Sequence, residues 1–193
     1  MFSYANAFNQ PIGNWNTNNV TNMSHMFLSA TAFNQPIGNW NTNNVTDMSH
    51  MFLSATAFNQ PIGNWNTNNV EDISWMFAWS AFNQDIGAWN TSNVTDMSFT
   101  FYSTWFNQDI GAWNTSNVTD MHSTFSMTAT FNQDIGAWNT SNVWDMGRMF
   151  NVATAFNQNL SGWCVTNITS KPADFDSAAI YWFLPRPVWG TCP

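Results

Sequence analysis

The sequence predicts an α/β solenoid, a stack of short coils with a short parallel β-sheet along one side, short helices along the other and a C-terminal cap. Three observations predict it. The thirteen residues Phe8–Val20 recur letter for letter at Phe33–Val45 and Phe58–Val70. The "FNQ" anchors at Phe8, Phe33, Phe58, Phe82, Phe106, Phe131 and Phe156 are separated by 25, 25, 24, 24, 25 and 25 residues. Within each repeat the apolar letters keep fixed places, so stacking would lay every one of them on its counterpart in the next coil and build a linear core.

"FNQPIG", later "FNQDIG", reads as a turn, with a ladder of asparagines (Asn9, Asn34, Asn59, Asn83, Asn107, Asn132, Asn157) able to satisfy backbone groups coil after coil. "WNTNNV", later "WNTSNV", is short, partly β-branched and bounded by Gly13, which suits a short parallel strand. Trp15 and Val20 lie five residues apart and cannot both face inward from one regular strand, so a bend or a very short strand is required. From Met23 through Met26 and Phe27 to Ala30 the apolar spacing is 3, 1 and 3, which predicts a helix of about two turns capped by Thr21, Asn22 or Ser24. The repeats Glu71–Val94 and Thr95–Val118 each lack one residue between Phe77 and Phe82 or Phe101 and Phe106, marking that place as a turn. Residues 1–168 form the array and 169–193 the cap.

Composition narrows the function. Charged residues are 7% of the chain and aromatics 17%, with a formal net charge of −8. Such a surface repels a phosphate backbone, which argues against nucleic acid as a partner. No apolar run reaches the roughly 20 residues of a membrane span, and the opening residues have no signal-peptide pattern. Cys164 and Cys192, the only cysteines, bracket the end where the repeat decays. They read as one disulfide tying down the cap, worth roughly 3–4 kcal/mol and implying an oxidising, extracellular setting; the competing reading is two reduced, partly buried thiols.

The run "FNQDIGAWNTSNVTDMS", followed by "MF", resembles the repeat of the BspA-like leucine-rich-repeat surface proteins. The likeness extends over nearly the whole chain, including an ending from "WCVTNI" to "PVWGTCP" that is similar to the family's terminal cap. It implies a solenoid at the cell surface or outside the cell, used for adhesion or recognition. Met1 aligns with Met26, so the chain enters in mid-repeat; either it is a fragment or its open first coil stacks on another molecule.

Catalysis finds little support. His25, His50 and His122 have no nucleophile in a recognisable arrangement, and the glycines come one per repeat, as turns rather than a phosphate loop. No enzyme activity and no cofactor is expected. Two carboxylate columns, Asp47, Asp72, Asp96, Asp120, Asp145 and Asp85, Asp109, Asp134, could in principle be bridged by calcium. Helix capping accounts for the first column without an ion, and no metal is assigned. Thr17, Thr42, Thr67, Thr91, Thr115 and Thr140 form a hydroxyl column beside Thr21, Thr46, Thr95 and Thr119, which gives ice or polysaccharide binding as a third reading; Glu71 and Trp144 interrupt the second column.

The variation between repeats is concentrated. At the places of His25, Leu28 and Ser29 stand Trp75, Ala78 and Trp79, then Phe99, Tyr102 and Ser103, then Ser123, Ser126 and Met127, then Arg148, Asn151 and Val152. On a helix these offsets would share an outward face. Solvent positions ordinarily collect Lys, Glu, Ser or Asn, whereas Trp, Tyr, Phe, Met and Arg are the residues of interfaces. The expected partner-binding ridge is Trp75, Trp79, Phe99, Tyr102, Trp105, Met127 and Arg148, taking a protein or glycan ligand. The competing readings are that these aromatics cover the core of differently packed repeats, or that the molecule assembles with its own copies through the ridge and the open first coil.

Overall fold

The computed structural model describes residues 1–193. Its coils stack along one axis, but the expected α/β architecture is not there. The chain contains no helix, and its β-pairing is confined to isolated parallel bridges linking Asn22, Asp47, Asp72, Asp96, Asp120 and Asp145 in succession. Each coil is instead a chain of β-turns. In the coil beginning at Phe33, the N–H groups of Trp40, Val45, Met51, Leu53, Ala55 and Phe58 donate to the carbonyls of Ile37, Thr42, Met48, His50, Phe52 and Ala55, each three residues back.

The segment expected to be helical shows why. Met48, His50, Phe52 and Ser54 donate their N–H groups to Asp72, Ser74, Met76 and Ala78 of the next coil, at 3.0, 2.9, 2.9 and 2.8 Å. Coils joined by direct backbone bonds sit about one strand spacing apart, roughly 4.8 Å. A helix with its side chains is about 10–12 Å across, so one helix per coil does not fit. The chain turns three times in the same eight residues: Met48–Met51 and Phe52–Ala55 have a positive φ at the third residue, +58° at both His50 and Ser54, as type II turns require, and His50–Leu53 joins them. The turns return Met48, Met51, Phe52 and Ala55 to the interior, mimicking helical spacing.

The expected strand is also replaced. Trp40 and Thr42 alternate inward and outward with Asn41, then the Thr42–Val45 turn brings Val45 back inside, so of the two solutions to the Trp–Val spacing the chain takes the bend. The sheet-like pairing lies later, at the Asp column, and is one residue wide. One apolar cluster of 47 buried residues runs the length of the stack. Its polar fittings repeat as well. Trp65 Nε1 donates to Ile37 O at 3.1 Å, Thr67 Oγ1 donates to Asn90 O at 2.9 Å, and Asn34 Oδ1 accepts from Asn59 N and Gln60 Nε2. Each polar ladder holds a coil to its neighbour and leaves few buried groups unpaired.

Past Ile168 the turn column continues, since Arg148, Phe150 and Val152 donate to Ala173, Phe175 and Ser177. Trp182 then covers the end of the core, standing edge-on to Phe150 and Phe156 and donating its indole N–H to Gln158 O. Phe183 and Leu184 complete the asparagine ladder by donating to Asn157 Oδ1. A disulfide joins Cys164 to Cys192. Burial alone would raise the Asp176 carboxyl, but hydrogen bonds and charge from Lys171 and Arg186 outweigh it and hold it below the usual carboxylate range.

Candidate functional site

Most variable positions lie on the outer side of the chained turns, while Ala78, Ser123 and Ser126 are buried. Two of the three offsets, the columns His25, His50, Trp75, Phe99, Ser123, Arg148 and Ser29, Ser54, Trp79, Ser103, Met127, Val152, are the residues with positive φ, between +52° and +60°. That conformation costs a non-glycine residue about 1–3 kcal/mol. It is held because each of these residues donates its N–H to the next coil while the residue after it turns inward, as Met51, Met76 and Thr100 do in one column and Ala55, Ser80 and Thr104 in the other. The backbone thus fixes where these side chains start, and the larger ones, Trp79 and Met127 among them, reach solvent.

The ridge is a strip on turns, not a helix face. Trp75 stacks on Phe99 at 3.9 Å between ring centres, Trp79 meets Tyr102 edge-on at 5.0 Å, and Phe99 meets Tyr102 at 5.6 Å. Trp75, Phe99 and Tyr102 are half-buried against one another. Trp79, Trp105 and Met127 are 44%, 68% and 44% exposed. Arg148 stands apart, exposed, 3.6 Å from Asp174 in the same column of the following coil. The structure therefore gathers six of the seven expected ridge residues into one neighbourhood and leaves Arg148 outside it.

Some members of the strip were not in the expected set. His50 stacks on Trp75 at 5.9 Å and His25 on His50 at 4.4 Å, extending the aromatic face toward the first coil. Their shared column with Trp75 was the available signal. Burial, and then the proximity of His25, lowers the His50 pKa from its ordinary value. A second omission is a trough beside the strip, of about 340 Å³, lined by Thr56, Trp79, Ser80, Ala81, Ser103 and Trp105. It lies where the two 24-residue repeats lack a residue.

The other candidate columns serve the stack. Each carboxylate of the first Asp column accepts from the backbone N–H two residues on, as Asp47 does from Ser49 at 2.9 Å, so it caps a turn rather than a helix. Asp85, Asp109 and Asp134 do the same for Gly87, Gly111 and Gly136. The Thr17 column is buried and its hydroxyls bond the next coil, which removes it from any contact surface. In the first coil Trp15 is 43% exposed, where its counterparts are buried.

A repeating chain of turns with a constant interior and a variable aromatic edge defines a repeat protein. The chain belongs to the family described as Mycoplasma protein of unknown function, DUF285, whose model matches residues 1–84 and again 73–181. No curated protein and no solved structure matches the chain.

Proposed function

We propose that this protein is a non-enzymatic recognition module, acting outside the cell or on its surface, whose constant coils present the aromatic strip to a ligand. The observation that supports it is the gathering of Trp75, Trp79, Phe99, Tyr102, Trp105 and Met127 on adjoining outer turns, with Trp79, Trp105 and Met127 exposed and the backbone at Trp75, Trp79, Phe99 and Met127 held at positive φ by the stack. Exposed aromatics at a preordered site lose little freedom on binding, and such residues dominate interface energies. The disulfide suits an oxidising compartment, and the likeness of the repeat to BspA-like surface proteins supports the same setting.

The test compares the wild-type chain with a Trp79→Ala/Trp105→Ala variant on protein and glycan arrays. Both side chains stand largely in solvent, so each change is expected to alter stability by about 1 kcal/mol or less. Trp65→Ala, from the buried ladder, is the control and should cost roughly 3–5 kcal/mol. Ligands retained by the wild type and lost by the folded double variant support the reading. Equal signals from both proteins, or a double variant that unfolds like Trp65→Ala, would refute it.

A further inference from the structure

The trough beside the strip has a physical origin in the sequence. In the 25-residue coils the outer corner carries an extra residue, and its threonines bond along the stack: Thr31 to Asn6 O, Thr56 to Thr31 O. The coils ending in Ala81 and Trp105 lack that residue. There the chain takes a shorter path, with Ser80 and Thr104 hydroxyls turned back onto Phe77 and Phe101 carbonyls. The threonine ladder stops at Thr56 and resumes only at Thr154, which bonds Ala129 O. The missing residues leave a recess, and the two coils that lack them are those that carry Trp79 and Trp105.

The lining is specific in its chemistry. Two exposed indoles wall the recess, hydroxyl residues Thr56, Ser80 and Ser103 lie between them, and no charged side chain or histidine borders it. A smaller recess of about 90 Å³ adjoins the other side of Trp105, lined also by Ser103, Thr104, Met127 and Ala129. At about 340 Å³ the main trough falls at the lower end of the range for small-ligand sites. An indole face carries negative quadrupole charge, which attracts the polarised axial C–H groups on the flat side of a pyranose ring, while the ring's equatorial hydroxyls reach short polar side chains at the rim. A charged ligand would find no counter-charge here, and an anionic one would approach a chain of net charge −8.

We propose that the trough between Trp79 and Trp105 is a binding site for a neutral saccharide, with a pyranose face on each indole and hydroxyls bonded by Ser103 and Thr56. The assignment rests on reading the strip as a recognition surface and names its ligand class.

The probes are cellohexaose, N-acetylchitohexaose and mannohexaose, titrated calorimetrically into the full chain. At least one binds saturably, and Trp79→Ala and Trp105→Ala each weaken it by about tenfold or more, whereas Trp144→Ala, an equally exposed tryptophan elsewhere, leaves it unchanged. Inserting Thr between Ser80 and Ala81 restores the 25-residue length and fills the recess; this variant, checked by its melting curve, keeps both indoles yet loses saccharide binding. No saturable heat from any of the three at millimolar concentration, or binding indifferent to both Trp changes or to the insertion, overturns the site. Failure here with strip-dependent protein ligands still found on arrays would sink the saccharide and spare the recognition reading.

Discussion

Asp72 shows how a single residue is shaped by its column. Its Oδ1 accepts the Ser74 N–H at 2.7 Å, which fixes the turn. Burial, opposed in part by Ser74's hydrogen bonds and reinforced by Asp96 and Asp47, raises its pKa above the ordinary 3.8. A group with a raised folded pKa binds more protons folded than unfolded, so its ionisation detracts from stability above the folded pKa. That penalty is relieved as pH falls through the folded pKa toward the unfolded value. The first coil already holds the alternative: Asn22 occupies the same place, accepts from Ser24 N at 2.8 Å and donates Nδ2 to Asp47 Oδ2 at 2.9 Å. Asp72→Asn is therefore expected to raise the melting temperature at pH 7, with the gain vanishing below about pH 4 as the wild-type carboxyl becomes neutral in both states. A loss of stability at pH 7 would show that the charge, rather than the acceptor, holds the turn.

At the scale of the coil, neighbours dictate local conformation. A methyl group on Gly87 would sit 2.7 Å from the Asp109 carbonyl oxygen of the next coil, and the same clash recurs at Gly38 against Pro61. Gly87→Ala is expected to lower stability by about 1–3 kcal/mol, as overpacking does, measured by chemical denaturation; Gly162→Ala, with no atom closer than 3.7 Å, should be milder. The same dominance of neighbours explains which elements were legible in the sequence. The period and the inward Ile, Trp, Val, Met and Phe columns follow from repetition and spacing alone, and spacing narrows the path from Trp40 to Val45 to a bend or a very short strand. The turns at Met48–Ala55 did not, because type II turns announce themselves by Gly or Asn at the third residue, and here His50 and Ser54 stand there. Apolar spacing of 3, 1 and 3 fits two chained type II turns as well as it fits a helix, and the close approach of coils, invisible in one repeat, selects the turns. Of the site, the clustering of Trp75, Trp79, Phe99 and Tyr102 was legible as variation against a constant frame. The recess beside Trp105 was legible only as a missing residue, whose consequence depends on what the adjoining coil places there.

At the scale of the molecule, each coil is stabilised chiefly by the one on either side, so the ends set where unfolding begins. The C-terminal end is closed by several devices at once: Trp182 over the core, Arg186 over the Trp182 ring at 4.5 Å, Val165 N donating to Thr191 O, and the Cys164–Cys192 bond spanning 28 residues. In the chain-entropy account that bond contributes roughly 3–4 kcal/mol by limiting the unfolded chain, and the closing segment from Val188 to Thr191 is otherwise held to the core chiefly by Trp189, edge-on to Phe175. Reduction should therefore act locally before it acts globally. Hydrogen exchange of the reduced protein is expected to speed first at Val165, Gly190 and Thr191, then at Leu160 and Trp163, while amides of Val70, Val94 and Val118 keep their protection until the global transition, itself moved to lower temperature. The core cluster is continuous from Ile12 to Trp182, so fraying that exposes Trp163 and Trp182 removes the neighbour on which the preceding coil depends, and the boundary should retreat coil by coil as temperature rises. Simultaneous loss of protection in the central and terminal coils would mean that the stack unfolds as a single unit and that the disulfide stabilises it as a whole rather than at its end.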